Sequence, residues 1–351
     1  FTNKLPKYML NRNNSSNIET LDNSTYADNS STCLIILRER NGRLGNRMFM
    51  FASAVGLALT HSCRLYIDKL IIDELSIPFE IDVLNMTVTE TEYLNVVRFV
   101  RQLYNYCTFF PYLLKPNAIK YLELTGFWQV QGHFTTYTKE IQKQFTFRPS
   151  ILARVGLFFE WQIHLRNTCF NMTNLTIIKS CIIQNTMQTY SSKNQTDKTN
   201  LTQLQLRNKL ILSSYTWIGI HIRRGDFLYG RTVSSTSFIL DAMNLFNTKY
   251  NNRTIFVITS DEKSYCSRTF THILNVVVTP HSFTPAEDLA ILAVCQNTIV
   301  TVGTFGWWGA YLSGGVVIHD VKSPQNPTPI DNNCSKDAFF PSWFSFLNRT
   351  S

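Results

Sequence analysis

The second half of the chain alternates short apolar runs with longer mixed stretches. WIGIHI (217–222), TIFVIT (254–259), NVVVT (275–279), NTIVTV (297–302) and GVVIHD (315–320) are mostly apolar and β-branched. Strands that are apolar on both faces and alternate with helical stretches predict a parallel sheet in a doubly wound α/β domain. One helix start is clear: Thr284, Pro285 and Glu287 supply an N-cap, a proline at the first helical position and a capping-box carboxylate. The first half is less regular. CLIIL (33–37) and RLYID (64–68) read as strands, and Met48 to Leu59 runs on without proline as a helix packed on most sides. Residues 70–120 read coarsely as helical, and YLELTGFWQVQGHF (121–134) has strand composition.

Two segments break the pattern. Residues 1–32 are rich in Asn, Ser and Thr and poor in aliphatics, the composition of a stem that cannot bury enough surface to order itself. Residues 165–204 carry polar clusters such as SSKNQTDKTN and read as an insertion or linker. The expected organisation is a stem (1–32), a first α/β domain (33–164), the insertion (165–204) and a second α/β domain (205–351). At 351 residues the chain is long enough for two cores.

Charge and cysteine content narrow the setting. The net charge of +9 admits phosphorylated ligands, but the basic residues are scattered with no run of five, which argues against nucleic acid. No apolar run approaches the ~20 residues that span a bilayer. The first residue is Phe1 rather than Met, as expected if an N-terminal piece is missing, in which case any signal or anchor would lie within that piece. Twelve Asn-x-Ser/Thr sequons exceed what an Asn-rich composition supplies by chance, and eight cysteines permit up to four disulfides. Both features point to the secretory pathway.

The candidate chemistry lies where strands end. In an open parallel sheet, ligands bind beyond the carboxyl ends of the strands. His221, Arg223, Arg224 and Asp226 occupy such an end in HIRRGD. Arginine brings a fixed charge and a planar fork matched to phosphate oxygens. Neighbouring strand residues point to opposite faces, so both arginines reach one ligand only if the turn at Gly225 redirects the chain; otherwise one braces the other. A solvated turn and an RGD adhesion tripeptide are the competing readings, and the position directly after a strand favours a ligand site. GTFGWWG (303–309) and GRLGN (42–46) hold the same strand–loop–helix position, where backbone N–H groups attract anions. Trp307 and Trp308 could wall a sugar or base, or be core. Asp261 could touch ligand or cap the following helix. Asp288, in the first turn of its helix, could complement the helix dipole or accept hydrogen bonds from a guanine edge. With no Asp-x-Asp pair, no Cys-x-x-Cys and dispersed histidines, no metal or cofactor is expected. The charge on a departing diphosphate would fall to arginine and backbone dipoles.

HIRRGD (221–226), GRLGN (42–46), LTGFWQVQGHF (124–134), DLAILAVCQNTIVTVGTFGWWGAYLSGG (288–315) and DAFFPSW (337–343) resemble the α-1,2-fucosyltransferases of animals and bacteria. The resemblance covers roughly residues 33–160 and 205–345. It implies a GT-B-like pair of Rossmann-type domains with mostly parallel sheets, the first on the acceptor side. It also implies an inverting, metal-independent enzyme that moves fucose from GDP-β-L-fucose to the 2-hydroxyl of a galactose-terminated glycan. Residue by residue, it implies a donor site of Gly42, Arg43, Gly45, Asn46, His221, Arg223, Arg224, Asp261, Asp288, Thr304, Phe305, Gly306 and Trp307. Within that set Arg223 would hold the pyrophosphate and Asp288 the guanine; Arg223 and Asp226 are the catalytic candidates. Animal members are type II Golgi membrane proteins, so the expected setting is the Golgi lumen, with membrane contact only through an N-terminal anchor. The chain departs from the family at Arg47, where Gln is usual after GRLGN, and at His133, where an aromatic follows Gly132. The rival readings are a protein O-fucosyltransferase or another linkage, and a non-catalytic glycan- or integrin-binding protein.

Overall fold

The computed structural model describes residues 33–169, 177–178, 180–181, 201–229, 233–320 and 335–347. The stem and most of the 165–204 segment lie outside them, as do all sequons but those at Asn85 and Asn252, both of which are exposed.

The first sheet has four parallel strands in the order β2-β1-β4-β3: β1 (Leu34–Leu37), β2 (Arg64–Ile67), β3 (Arg101–Asn105) and β4 (Tyr121–Gly126). Strand β1 is wholly buried, which its unbroken aliphatic run LIIL requires. Between β1 and β2 runs α1 (Leu44–His61), buried along most of its length. Short helices α2 (Lys69–Leu75) and α3 (Glu90–Val96) follow, the latter started by a Thr89–Glu92 capping box. The reading of 70–120 as helical is corrected here, because the stretch contains β3. The 121–134 run is a strand only to Gly126, after which the chain turns.

The second sheet has six parallel strands in the order β10-β9-β8-β5-β6-β7. These are β5 (Thr216–Ile222), β6 (Thr254–Ser260), β7 (Val276–Val278), β8 (Asn297–Val300), β9 (Val317–Asp320) and β10 (Phe344–Leu347). With β5 counted first, this is the dinucleotide-fold order 3-2-1-4-5-6 read from the β7 edge. Two parallel sheets with helices between their strands give the α/β architecture that the strand pattern predicts and the GT-B-like arrangement that the family resemblance implies. Helices α4 (Thr138–Gln144) and α5 (Pro149–Cys169) follow the first sheet. The second half carries α6 (Gln203–Ile211), α7 (Thr236–Lys249), α8 (Lys263–Phe270), α9 (Pro285–Val294), α10 (Thr304–Ser313) and α11 (Lys336–Phe339). The 164/165 boundary falls inside α5. That helix packs on the second half: Phe158 meets Phe283 at 5.6 Å, Phe159 meets Trp217 at 5.1 Å, and Arg154 pairs with Glu287 at 2.8 Å.

One hydrophobic core joins β1 and α1 to α9 and α10. At its centre Phe49 of α1 lies 4.5 Å from Trp307 and 5.0 Å from Trp308, ring to ring. Cys33–Cys63 ties the starts of β1 and β2, Cys169–Cys181 closes a second disulfide, and Cys107 is also disulfide-bonded. Cys266 and Cys295 are buried thiols, their ionisation suppressed by burial.

Candidate functional site

The first sheet changes direction of winding between β1 and β4, and the second between β5 and β8. Residues beyond both points line one cavity of about 750 Å³, within the usual range for a ligand site. Two helix N-termini meet there. Helix α1 begins after Arg43 and α10 after Gly303, and neither N-cap side chain makes a capping hydrogen bond. Gly303 has φ +90°, a conformation open to glycine, and it turns the chain from β8 into α10. The two helices are stapled together. Trp308 Nε1–H donates to the Gly45 carbonyl at 3.0 Å, and Thr304 Oγ1–H donates to Asn46 Oδ1 at 2.7 Å. Asn46 Oδ1 also accepts from Gln129 Nε2 at 3.1 Å.

Arg223, the first residue after β5, sits at the same place. Its backbone N–H donates to Thr301 Oγ1 at 2.9 Å, and its side chain is only 15% exposed. The guanidinium is clamped between two carboxylates, Asp261 at 2.7 Å and Asp226. Asp226 is half-exposed and also lies 3.9 Å from Arg43 across the cavity. Register explains the Asp261 contact: Ile222 of β5 pairs with Ser260 of β6, so the next residues of the two strands come out side by side. Asp261 therefore braces the arginine loop, accepting from the Arg224 N–H at 3.0 Å as well. The helix-cap alternative does not hold, since α8 starts from Glu262 without a side-chain cap.

Gly42, Arg43, Gly45, Asn46, His221, Arg223, Asp226, Asp261, Asp288, Thr304 and Phe305 all line the cavity. Arg224, Gly306 and Trp307 do not line it. The Arg224 guanidinium lies 3.7 Å over the Tyr265 ring, outside the cavity. Gly306 is buried behind the lining, where a Cβ would lie 2.4 Å from His221 Nδ1. Trp307 is wholly buried and stacks on Tyr311 at 4.9 Å, its Nε1–H bonded to the Phe339 carbonyl at 3.0 Å. Both tryptophans belong to the core.

His221 is buried, and its Nδ1 has no hydrogen-bond partner among the described residues. Burial, then Arg223 and His319, push its pKa down to about 3, so the ring is neutral near pH 7. His319 lines the same floor and is pushed to about 4, again mainly by burial. Asp288 is buried, with Lys263 at 2.8 Å and the Thr279 hydroxyl donating at 2.7 Å. Burial raises its pKa against the pull of Lys263. Each oxygen holds one partner, which leaves lone pairs for a further donor. Of the two family departures, Arg47 lines the cavity and pairs with Glu74 at 2.6 Å. His133 is a buried ring among Phe109, Phe110 and Trp128, its pKa lowered by burial to about 4.

Sequence reasoning missed the cavity residues His319, Lys336, Tyr106, Phe127 and Gln129, and Lys263, which pairs with Asp288 behind them. Phe127 and Gln129 stand inside LTGFWQVQGHF (124–134), whose residues carry no chemistry that marks a role from sequence alone. Among the described residues, no group of three or more His, Cys, Asp or Glu is placed to hold a metal ion, and no helix is long and apolar enough to cross a membrane.

Fold and site together define a Rossmann-type α/β protein with a cavity lined by residues that follow the strands of two parallel sheets. Residues 184–346 match the model of glycosyl transferase family 11. The chain is 30% identical over 138 residues to the galactoside 2-α-L-fucosyltransferase Sec1 of Mus musculus, covering 36% of this chain and 37% of that protein. It is 33% identical over 138 residues to the galactoside α-(1,2)-fucosyltransferase 2 of Pongo pygmaeus, covering 36% and 40%. These matches bear out the resemblance to the α-1,2-fucosyltransferase family over the part of the chain they cover. The matches span well under half the length of these relatives. Among solved structures, the α-1,6-fucosyltransferase NodZ co-crystallised with GDP aligns at TM-score 0.45 and 14% identity, over 85% of this chain and 98% of that one. POFUT1 in complex with GDP aligns at TM-score 0.37 and 9% identity, over 83% and 99%.

Proposed function

We propose that this protein is an inverting galactoside α-1,2-fucosyltransferase of the secretory pathway, acting in the Golgi lumen and using GDP-β-L-fucose without a metal. One observation carries the reading: two helix N-termini lacking side-chain caps and a pre-clamped Arg223 converge on one cavity. Each helix N-terminus carries roughly half a positive charge, and a planar guanidinium matches paired phosphate oxygens. A diphosphate suits this site better than a neutral ligand does. The galactoside fucosyltransferase relatives supply the sugar and the linkage.

In the proposed reaction the 2-hydroxyl of a terminal galactose attacks fucose C1 from the face opposite the phosphate. The C1–O bond breaks and its electron pair leaves with GDP, the attacking hydroxyl loses its proton to solvent, and the β-linked donor yields an α-linked product. Arg223 and the two helix termini stabilise the charge that grows on the diphosphate. Asp288, held by Lys263 and Thr279, offers its remaining lone pairs to the guanine edge. For Asp226 the pairing with Arg223 supports a bracing role, shared with Asp261. His221, neutral and buried, adds no charge to the cavity floor, and its Nδ1 faces Gly306 behind the lining.

Arg223→Lys tests the assignment, because lysine keeps the charge but cannot hold two carboxylates and a diphosphate with one planar fork. Its kcat is expected to fall about 10²–10³-fold, the usual loss for one charge-stabilising donor. Turnover near wild type would overturn the role given to Arg223.

A further inference from the structure

Tyr106 and Phe127 line the cavity from the first sheet, and nothing described so far uses them. Their rings meet edge to face, 5.4 Å apart at 86°, forming a corner with one ring as floor and the other as wall. Both rings are only partly buried, unlike the core aromatics of α10.

The corner is built rigidly. The Asn105 side chain closes its own turn, donating to the Thr108 carbonyl at 2.9 Å and accepting from the Thr108 N–H at 2.8 Å. The Asn105 carbonyl accepts from the N–H groups of Phe127 and Trp128, at 2.8 and 3.1 Å, and the Tyr106 carbonyl accepts from Gln129 at 2.8 Å. The two loops are thus laced together by backbone bonds. Gly126 has φ +93°, and a Cβ there would lie 2.2 Å from the Asn105 carbonyl oxygen, so only glycine lets the loops close. Trp128 takes φ +50° with its ring fully buried. Cys107 is held by a disulfide. Strain and cross-links spent on an aromatic pair facing a cavity are the mark of a ligand platform rather than of a loop. Gln129, in the same loop, reaches Asn46 and through it Thr304, so the platform is keyed to the helix termini at the anion site.

Resting on the donor reading above, we infer that the Tyr106–Phe127 corner is the acceptor subsite, which stacks the apolar face of a terminal galactose. In galactose the axial 4-hydroxyl leaves the C–H bonds at C3, C4 and C5 together on one face of the ring. That patch suits an aromatic face, whereas the equatorial O2 projects from the ring edge and stays free to attack. Glucose lacks the continuous patch, so the corner also selects the sugar.

The test uses lactose and cellobiose as acceptors, with Phe127→Leu, Phe127→Tyr and Tyr106→Leu variants checked for wild-type thermal unfolding. Loss of one stacking ring is expected to raise the KM for lactose about tenfold. The KM for GDP-fucose and the Kd for GDP should stay within about twofold. Phe127→Tyr should restore lactose use, and wild-type protein should prefer lactose to cellobiose. An unchanged lactose KM in folded Phe127→Leu, with GDP binding intact, overturns the inference alone. A parallel tenfold loss of GDP affinity also overturns it, because the corner would then stack the base. Wild-type protein that binds no GDP overturns the donor reading and the inference with it.

Discussion

Gly45 sits in the first turn of α1, where that helix abuts α10, and Gly45→Ala probes the junction directly. A Cβ at this position would lie 2.7 Å from Thr304 Oγ1, 2.8 Å from the Phe305 nitrogen and 2.8 Å from the Thr304 carbonyl carbon, against 3.4–4 Å for ordinary contact. Two of those atoms are backbone, so no side-chain rotation relieves the overlap. Over-packing of this kind costs about 1–3 kcal/mol, while alanine returns about 0.5–1 kcal/mol of helix propensity. The expected balance is a loss of roughly 1–2 kcal/mol, with the two helix N-termini pushed apart. Gly156→Ala in α5 is the control: its Cβ would meet only the tips of Leu201 at 3.3 Å and Leu206 at 3.9 Å, both able to shift. That variant should gain up to about 1 kcal/mol.

Urea unfolding reads the two signs through the midpoint at constant slope, and calorimetry with GDP reads the site. Gly45→Ala is expected to lower the midpoint and weaken GDP binding by tenfold or more, while Gly156→Ala leaves GDP affinity unchanged. If both variants are equally stable and bind GDP equally, the claim that the two helix termini jointly form the anion site is refuted.

Two further outcomes concern stability. Replacing Cys33 and Cys63 by alanine opens a cross-link of sequence separation 30 and should cost about 3–4 kcal/mol, seen as a lower urea midpoint; an unmoved midpoint contradicts it. Acid should destabilise the fold through its buried histidines. His133 and His319 are lowered to about 4 and His221 to about 3, each chiefly by burial, against about 6.5 unfolded. The unfolded state therefore binds protons first, so stability is full above pH 6.5 and falls as pH drops from there toward 4. Asp288, raised by burial, acts in the opposite sense near the carboxylate range. A flat urea midpoint from pH 7 to 5 would contradict the histidine assignment.

What the sequence made legible follows from local rules. Strands β5 to β9 are continuous β-branched runs, and the Thr284–Glu287 start of α9 is written in capping residues, so both could be read without tertiary knowledge. Strand β3, RQLYN, is an edge strand with most side chains exposed, and carries no alternation to announce it. The bracing contact of Asp261 could not be read from the sequence because its partner is fixed by the β5–β6 register, which no local pattern encodes. The Lys263–Asp288 pair was missed for a similar reason, since it joins the start of α8 to the start of α9. The tandem tryptophans stayed ambiguous because α10 begins at the cavity and ends in the core. Thr304 and Phe305 stand in the first turn, at the cavity, while Trp307 and Trp308 lie about one turn further along the axis, inside the core.

The most direct test of the central claim is the linkage of the product. The protein is incubated with GDP-fucose and a terminal β-galactoside in the presence of EDTA, and the linkage formed is determined. The account predicts an α-1,2-fucosylated galactoside formed at full rate without divalent metal. Fucose on another position or acceptor, activity abolished by EDTA, or no GDP release from a folded protein would contradict it.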